Sequence, residues 1–172
     1  MKPTIVAVIG GKRSGKTTTI EALTRELTKR GYNVATVKHV SEVDFTIDTK
    51  GKDTWRFASA GARKIVAVAS NEIATIEKTN AQNITLAQII KRCRDADIVL
   101  LEGFRKLVIK NHKIPKIVAV KTLDEANEFT KNFKNILAFT GAYSTEKIMP
   151  KTPHVDALKN PEKLADLVEK IV

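Results

Sequence analysis

An α/β fold with a mostly parallel sheet, flanked by helices and carrying an added hairpin, is predicted by three observations. Short apolar runs rich in β-branched residues alternate with segments of helical period along the 172 residues. The first of these runs opens directly into a glycine-rich loop that leads into a helix. Two later runs, Ile65–Ala69 and Glu72–Glu77, lie only a few residues apart and read as a hairpin. Without low-complexity segment, repeat or linker, the chain reads as a single domain over residues 1–172, a length that buries roughly 70% of the unfolded surface.

Thr4–Ile9 is the first expected strand, and Thr17–Arg30 the first helix, with Ile20, Leu23 and Leu27 on one face and Gly31 as its stop. Asn33–Lys38 follows as a strand, then a polar stretch from His39 to Lys52 in which Phe45 and Ile47 hint at a short extended piece. Asp53 is expected to cap a short helix over Thr54–Ala60, ended by Gly61. After the hairpin, Thr85 and Gln88 have capping-box spacing at the head of a helix that carries Cys93 on its apolar face, as a core residue. Asp97–Glu102 and Ile114–Val120 are the next strands, then a helix over Leu123–Asn132 and a strand over Asn135–Phe139. Asn160-Pro161 caps and opens a final helix that buries Leu164, Leu167, Val168 and Ile171.

The segment Gly10-Gly11-Lys12-Arg13-Ser14-Gly15-Lys16-Thr17 matches G-x-x-x-x-G-K-[ST], between an expected strand and an expected helix. Backbone N–H groups of such a loop converge on phosphate oxygens, helped by the positive end of the helix that follows. The nucleotide-binding set is therefore Gly10 to Thr17 with Thr18 beyond it, in a P-loop NTPase fold. Lys16 is placed to reach the β- and γ-phosphates, and the Thr17 hydroxyl to ligate Mg²⁺. The metal needs a carboxylate at the same sheet edge. Glu102 ends its strand beside the loop, whereas Asp97 begins that strand, roughly 16 Å away at about 3.3 Å per residue. Glu102 is thus the expected metal-side acid. Asp48 joins Lys16 and Glu102 as a candidate for the chemistry, because Asp48-Thr49-Lys50-Gly51 fits the D-x-x-G pattern of GTPases.

His39, Lys52 and Asp53 lie in or beside the polar stretch and are candidates for a second ligand or partner. So are Arg105 and Lys106, which open a run from Gly103 to Leu123 that holds no acid but also carries Lys110, His112, Lys113, Lys116 and Lys121. The guanine-reading pattern [NT]-K-x-D has no match. Val120-Lys121-Thr122-Leu123-Asp124 is one residue too long, and Thr140-Gly141 is another candidate for base contact. The residues themselves leave guanine and adenine open.

Composition narrows the classes further. Thirty basic against nineteen acidic residues give a net charge of +11, which favours anionic partners. Aromatic residues at 5% offer few stacking platforms, so nucleic acid is not the expected ligand. One cysteine excludes an intrachain disulfide and a four-cysteine zinc site. No apolar run approaches the roughly 18 residues that span a membrane, and Met1-Lys2-Pro3-Thr4 lacks a signal-peptide cleavage site. The expected compartment is the cytoplasm, with no membrane contact.

In its ordered motifs the chain resembles the molybdopterin-guanine dinucleotide biosynthesis protein B (MobB) family. The likeness runs through Val6–Thr19, Val37-Lys38-His39, Asp48-Thr49-Lys50-Gly51-Lys52-Asp53-Thr54, Ala60-Gly61-Ala62, Asp97–Phe104 with Glu102-Gly103-Phe104, and Pro115-Lys116-Ile117. The resemblance implies a GTP-binding, Mg²⁺-using accessory protein with feeble hydrolysis, typically a homodimer. It also implies assistance to the molybdopterin guanylyltransferase that attaches GMP to molybdopterin. The alternative is a P-loop small-molecule kinase, but the arginines a kinase lid needs are scattered here. A nickel-insertion GTPase lacks its Cys/His site in this sequence. A nucleic-acid-binding ATPase is motivated by charge alone.

Overall fold

The computed structural model describes residues 2–146, 149 and 151–172. Strand β1 (Thr4–Gly10) is buried at four consecutive positions, Val6 to Ile9, the signature of a strand covered on both faces. It forms the middle of a five-stranded parallel sheet with β2 (Val34–Lys38), β5 (Ile98–Glu102), β6 (Lys116–Ala119) and β7 (Ile136–Thr140), in the order β2-β5-β1-β6-β7. Parallel register sets Val8 opposite Glu102 and Lys38 opposite Glu102. The C-terminal ends of β1, β2 and β5 therefore lie side by side, the edge at which an open parallel sheet collects its ligands.

Helices α1 (Lys16–Lys29) and α6 (Pro161–Glu169) supply one core face. Ile20, Leu23 and Leu27 pack there with Leu164, Ala165 and Val168 against Val6, Val8, Ile98 and Leu100. Burial of each large aliphatic side chain contributes about 1.5–3 kcal/mol before entropy is counted. Arg30, just past α1, fastens the two helices. Its Nε donates to Glu26 at 2.9 Å, Nη1 to Asp166 at 2.7 Å and to Glu169, and Nη2 to the Glu162 carbonyl at 3.1 Å. Helix α5 (Leu123–Asn132) has the bounds its sequence predicts, capped by Thr122 and burying Ala126 and Phe129.

The chain divides into two compact units, Met1–His39 with Thr85–Val172, and Val40–Ile84. The second contains α2 (Asp53–Ser59) and the antiparallel hairpin of β3 (Lys64–Val68) and β4 (Ile73–Glu77). Ile65 is its one buried hydrophobic residue among the described residues. The expected extended piece at Phe45 and Ile47 is absent: no strand forms there, and the two side chains are 56% and 81% exposed. With no neighbouring strand, alternation alone cannot hold an extended segment.

Several local expectations change in three dimensions. Asp53 is not the cap of α2 but its first residue. Lys52 occupies the cap position, and Asp53 pairs with Arg56 at 3.5 Å. Helix α3 (Leu86–Arg92) has its Thr85–Gln88 capping box, but Cys93 is the half-buried C-cap and not a core residue. Burial pushes its thiol pKa up. Asn160 precedes Pro161 as expected yet makes no side-chain cap, and Ile171 is 39% exposed, beyond the end of α6. A four-residue helix, α4 (Arg105–Val108), fills what reads in sequence as basic loop. Lys116 is not part of a solvated surface. It is fully buried, with Nζ donating to the carbonyls of Asn111 at 2.8 Å and Ile114 at 2.7 Å. Burial lowers its pKa.

Candidate phosphate and metal site

The loop between β1 and α1 is shaped by close backbone approach. A Cβ on Gly10 would lie 2.3 Å from the Ala119 carbonyl oxygen and 2.5 Å from Ser14 Oγ, so only glycine lets β1 meet β6 there. Arg13 and Gly15 both adopt left-handed backbone, φ 57° and 95°, a conformation that costs energy at a non-glycine position and clusters at functional sites. The resulting recess, about 320 Å³, is lined by Arg13, Ser14, Gly15, Lys16, Thr17 and Thr18. Helix α1 opens onto it with no side-chain cap and no acid in its first turn. Its first N–H groups are left to an incoming anion. Ser14 Oγ is buried without a partner in the same loop.

Lys16 Nζ donates to the Gly11 carbonyl at 2.5 Å, across the loop it belongs to. Burial is the main cause of its lowered pKa. Glu102 and Glu125 raise the value, while the like charges of Lys38 and Lys121 lower it further. The Thr17 hydroxyl lies 3.1 and 3.2 Å from the two oxygens of Glu102. Glu102 also takes Lys38 Nζ at 3.1 Å. Asp97 sits at the opposite edge, where its Oδ2 accepts from the Asn33 N–H at 2.8 Å.

After Glu102 the chain turns through Gly103 and Phe104, both left-handed at φ 84° and 52°. His39 joins this corner. Its N–H donates to the Glu102 carbonyl at 3.0 Å, and its ring meets Phe104 edge-on at 5.3 Å. Arg105, the next residue, has partners of its own. Its guanidinium is bonded to Glu128 and lies over the Phe129 ring at 4.9 Å and the Phe133 ring at 5.6 Å. Lys106 is exposed on α4.

Asp48, Lys52 and Asp53 belong to the second unit. Asp48 Oδ1 accepts from the Thr49 N–H at 2.9 Å and the Thr54 hydroxyl at 2.8 Å, and Oδ2 is buried with no partner. Lys52 is exposed, and its N–H donates to the Thr49 carbonyl.

Residue-by-residue reading missed Glu125. Its Oε1 stands 2.8 Å from where a Gly11 Cβ would lie, and its Oε2 accepts from the Lys121 N–H at 2.7 Å. Lys121 in turn donates to the Lys12 carbonyl at 3.1 Å. The capping-box spacing of Thr122 and Glu125 was the available signal, but it does not say that the carboxylate reaches the loop. A second recess of about 390 Å³ lies at the far edge of the sheet, lined by Thr4, Ile5, Ile114 and Pro115 among others, and contains none of the expected site residues.

A parallel sheet, a phosphate loop closing its central strand and an acid at the end of the neighbouring strand define a protein of the P-loop NTPase fold. The sequence profile of the family described as molybdopterin guanine dinucleotide synthesis protein B, MobB, matches residues 5–142, and the chain belongs to that family. A Haemophilus influenzae protein named molybdopterin-guanine dinucleotide biosynthesis adapter protein is 32% identical over 132 residues, 73% of this chain and 70% of that protein. A Methanocaldococcus jannaschii protein, provisionally given the same name, is 35% identical over 120 residues, which is 70% of this chain. The chain spans about half the length of that relative, 48%. A crystal structure of molybdopterin-guanine biosynthesis protein B superposes with a TM-score of 0.74 at 26% identity, covering 98% of this chain and 99% of the other. The Bacillus subtilis MobB structure, at 23% identity and a TM-score of 0.73, shares the fold. No helix among the described residues is long and apolar enough to cross a membrane.

Proposed function

We propose that this chain is a GTP-binding accessory protein of molybdenum cofactor biosynthesis, acting in the cytoplasm. Its partner is a molybdopterin guanylyltransferase, which it assists in attaching GMP to molybdopterin to form molybdopterin guanine dinucleotide. The observation that carries the nucleotide reading is the Thr17 hydroxyl within 3.1–3.2 Å of both Glu102 oxygens at the mouth of the phosphate loop. A hydroxyl and one carboxylate are hard oxygen donors. Mg²⁺ asks for no more from the protein when phosphates and water complete its octahedron. The donor set therefore fits Mg²⁺ held by Thr17 and Glu102, and the bound ion would offset phosphate charge. Gly10 to Thr18 would cradle the phosphates by backbone N–H groups, and Lys16 would leave the Gly11 carbonyl for the β- and γ-oxygens.

Hydrolysis by the isolated chain should be slow. Transition-state charge in phosphoryl transfer is usually met by an arginine or a water-orienting glutamine, and Arg105 is held by Glu128. Asp48, in the second unit, has an unpartnered Oδ2 and stays a candidate for the chemistry on its D-x-x-G pattern alone. In the first unit His39, Arg105 and Lys106, and separately in the second unit Lys52 and Asp53, are the residues we assign to a second ligand or to the guanylyltransferase.

Calorimetry with GTP and ATP, with and without Mg²⁺, tests this reading. GTP is expected to bind more tightly than ATP and to gain affinity from Mg²⁺. Glu102→Gln should reduce that gain roughly tenfold, while Asp97→Asn leaves it within about twofold. A larger effect from Asp97→Asn would move the metal to the wrong edge, and turnover of about 1–100 s⁻¹ would make the chain an enzyme in its own right.

The chain is also proposed to be a homodimer. One face of the hairpin exposes Val66, Val68 and Ile73 at 52%, 74% and 70%. A two-stranded ribbon is marginal in water without cover, and a second copy of the same ribbon would supply it. Sedimentation should show a dimer that Val68→Lys with Ile73→Lys converts to monomer. A wild-type monomer at high concentration would contradict this.

A further inference from the structure

Lys38 ends β2 and stands in register with Glu102 at the end of β5. Its ammonium lies 3.1 Å from Glu102 Oε1, the same oxygen that takes the Thr17 hydroxyl at 3.1 Å. One carboxylate oxygen thus carries both the hydroxyl assigned to the metal and a full positive charge. The side chain is 59% exposed and the Glu102 side chain 13%, so the cation has room to move and the acid does not.

We infer that Lys38 stands in for the divalent cation: it neutralises Glu102 in the nucleotide-free protein, is displaced when the metal–nucleotide enters, and then contacts the terminal phosphate. The inference rests on the nucleotide reading above and deepens it. A dication coordinated through Thr17 and Glu102 repels an ammonium on the same oxygen, because like charges a few ångströms apart are costly even near a protein surface. Lysine is suited to the exchange, being a compact charge on a flexible four-carbon stem with three rotatable donors. Once Glu102 is taken, the strongest anion within reach of the β2 terminus is the phosphate end of the nucleotide. The empty site would then hold its acid neutralised and its loop in shape without metal. A diphosphate would release Lys38 without giving it a γ-phosphate to bind, so the residue would favour triphosphate.

The test is Lys38→Met, with Lys38→Arg as the conservative control. Mn²⁺ binding to the nucleotide-free chain, followed by electron paramagnetic resonance, should tighten roughly threefold in Lys38→Met, the scale of an exposed ion pair. Calorimetry in Mg²⁺ should show the GTP-to-GDP affinity ratio falling roughly tenfold, the scale of one charge-assisted hydrogen bond. GDP affinity should stay within about twofold, and Lys38→Arg should keep most of the ratio. Unchanged Mn²⁺ binding together with an unchanged ratio would reduce Lys38 to a surface ion pair and overturn the inference. Equal loss of GTP and GDP would overturn it too, as a general effect on the loop. If the wild-type chain binds no nucleotide, the functional reading fails first and this inference with it.

Discussion

Lys16→Ala is expected to cost at least a hundredfold in nucleotide affinity while the protein stays folded. Hydrogen bonds to charged groups contribute about 1.5–3 kcal/mol each. An ammonium shared by two phosphate oxygens therefore carries about 3–6 kcal/mol, a factor of about one hundred to ten thousand. Among the described residues this side chain hydrogen-bonds only the Gly11 carbonyl, so its removal leaves the core of α1 and β1 untouched. Binding should also weaken in alkaline solution. Burial, with Lys38 and Lys121 nearby, holds the Lys16 pKa below its ordinary value, so the proton that phosphate needs is lost at a lower pH than in a free lysine. Stability moves the other way. Between the lowered pKa and the ordinary one the unfolded chain binds more protons, and folding gains as pH rises through that window. Calorimetry across pH, beside thermal melts of both proteins, separates the two effects. A folded Lys16→Ala protein with wild-type GTP affinity would remove the phosphate role from the loop.

Gly141→Ala should be among the most damaging single substitutions, at about 3 kcal/mol or more, the range reserved for overpacking against rigid neighbours. Gly141 lies just past β7 at φ 103°, where a Cβ would meet the Val120 carbonyl oxygen at 2.4 Å, the Val120 nitrogen at 2.9 Å and the Ser14 carbonyl oxygen at 3.2 Å. All three contacts are backbone, and none can swing aside. A domain of this size loses roughly 2–4 °C per kcal/mol, so a fall in melting temperature of about 10 °C is expected. Pressure on Ser14 also distorts the phosphate loop, so GTP affinity should fall with stability. Gly61→Ala provides the comparison. Its φ is 107°, but a Cβ there meets nothing within 4 Å, and a positive φ alone costs about 1 kcal/mol. Equal melting temperatures for the two variants would show that backbone crowding at Gly141 is relieved elsewhere.

What could be read from the sequence was whatever local chemistry decides. The inner strands β1, β5 and β6 show as apolar runs because they are buried on both faces, and α5 begins and ends where Thr122 and Asn132 say it should. Glu102 could be separated from Asp97 because counting residues along a strand is a length measurement. Tertiary partners could not be read. Nothing near Arg105 announces Glu128, twenty-three positions on, or the two phenylalanine rings beneath the guanidinium. Lys116 looks like its exposed neighbours until the carbonyls of Asn111 and Ile114 fold over it. Helix α4 is too short to leave a periodic signal, and starts only because Phe104 takes a left-handed turn. Glu125 shows as a cap, which it is, but its second contact with the phosphate loop depends on how β6 lies against β1.

The strand order has a consequence for synthesis. The central strand, Thr4–Gly10, finds its neighbours in β5 and β6, with Thr4 paired to Ile98 and Gly10 to Ala119. About ninety residues must therefore leave the ribosome before the most apolar strand of the protein can acquire a hydrogen-bonded flank. At roughly 5–20 residues per second, that wait is on the order of ten seconds. During it Thr-Ile-Val-Ala-Val-Ile-Gly is an unpaired edge with the composition of an aggregation-prone segment. The middle of the sheet closes only when β5 and β6 arrive, and until then β1 has no strand beside it.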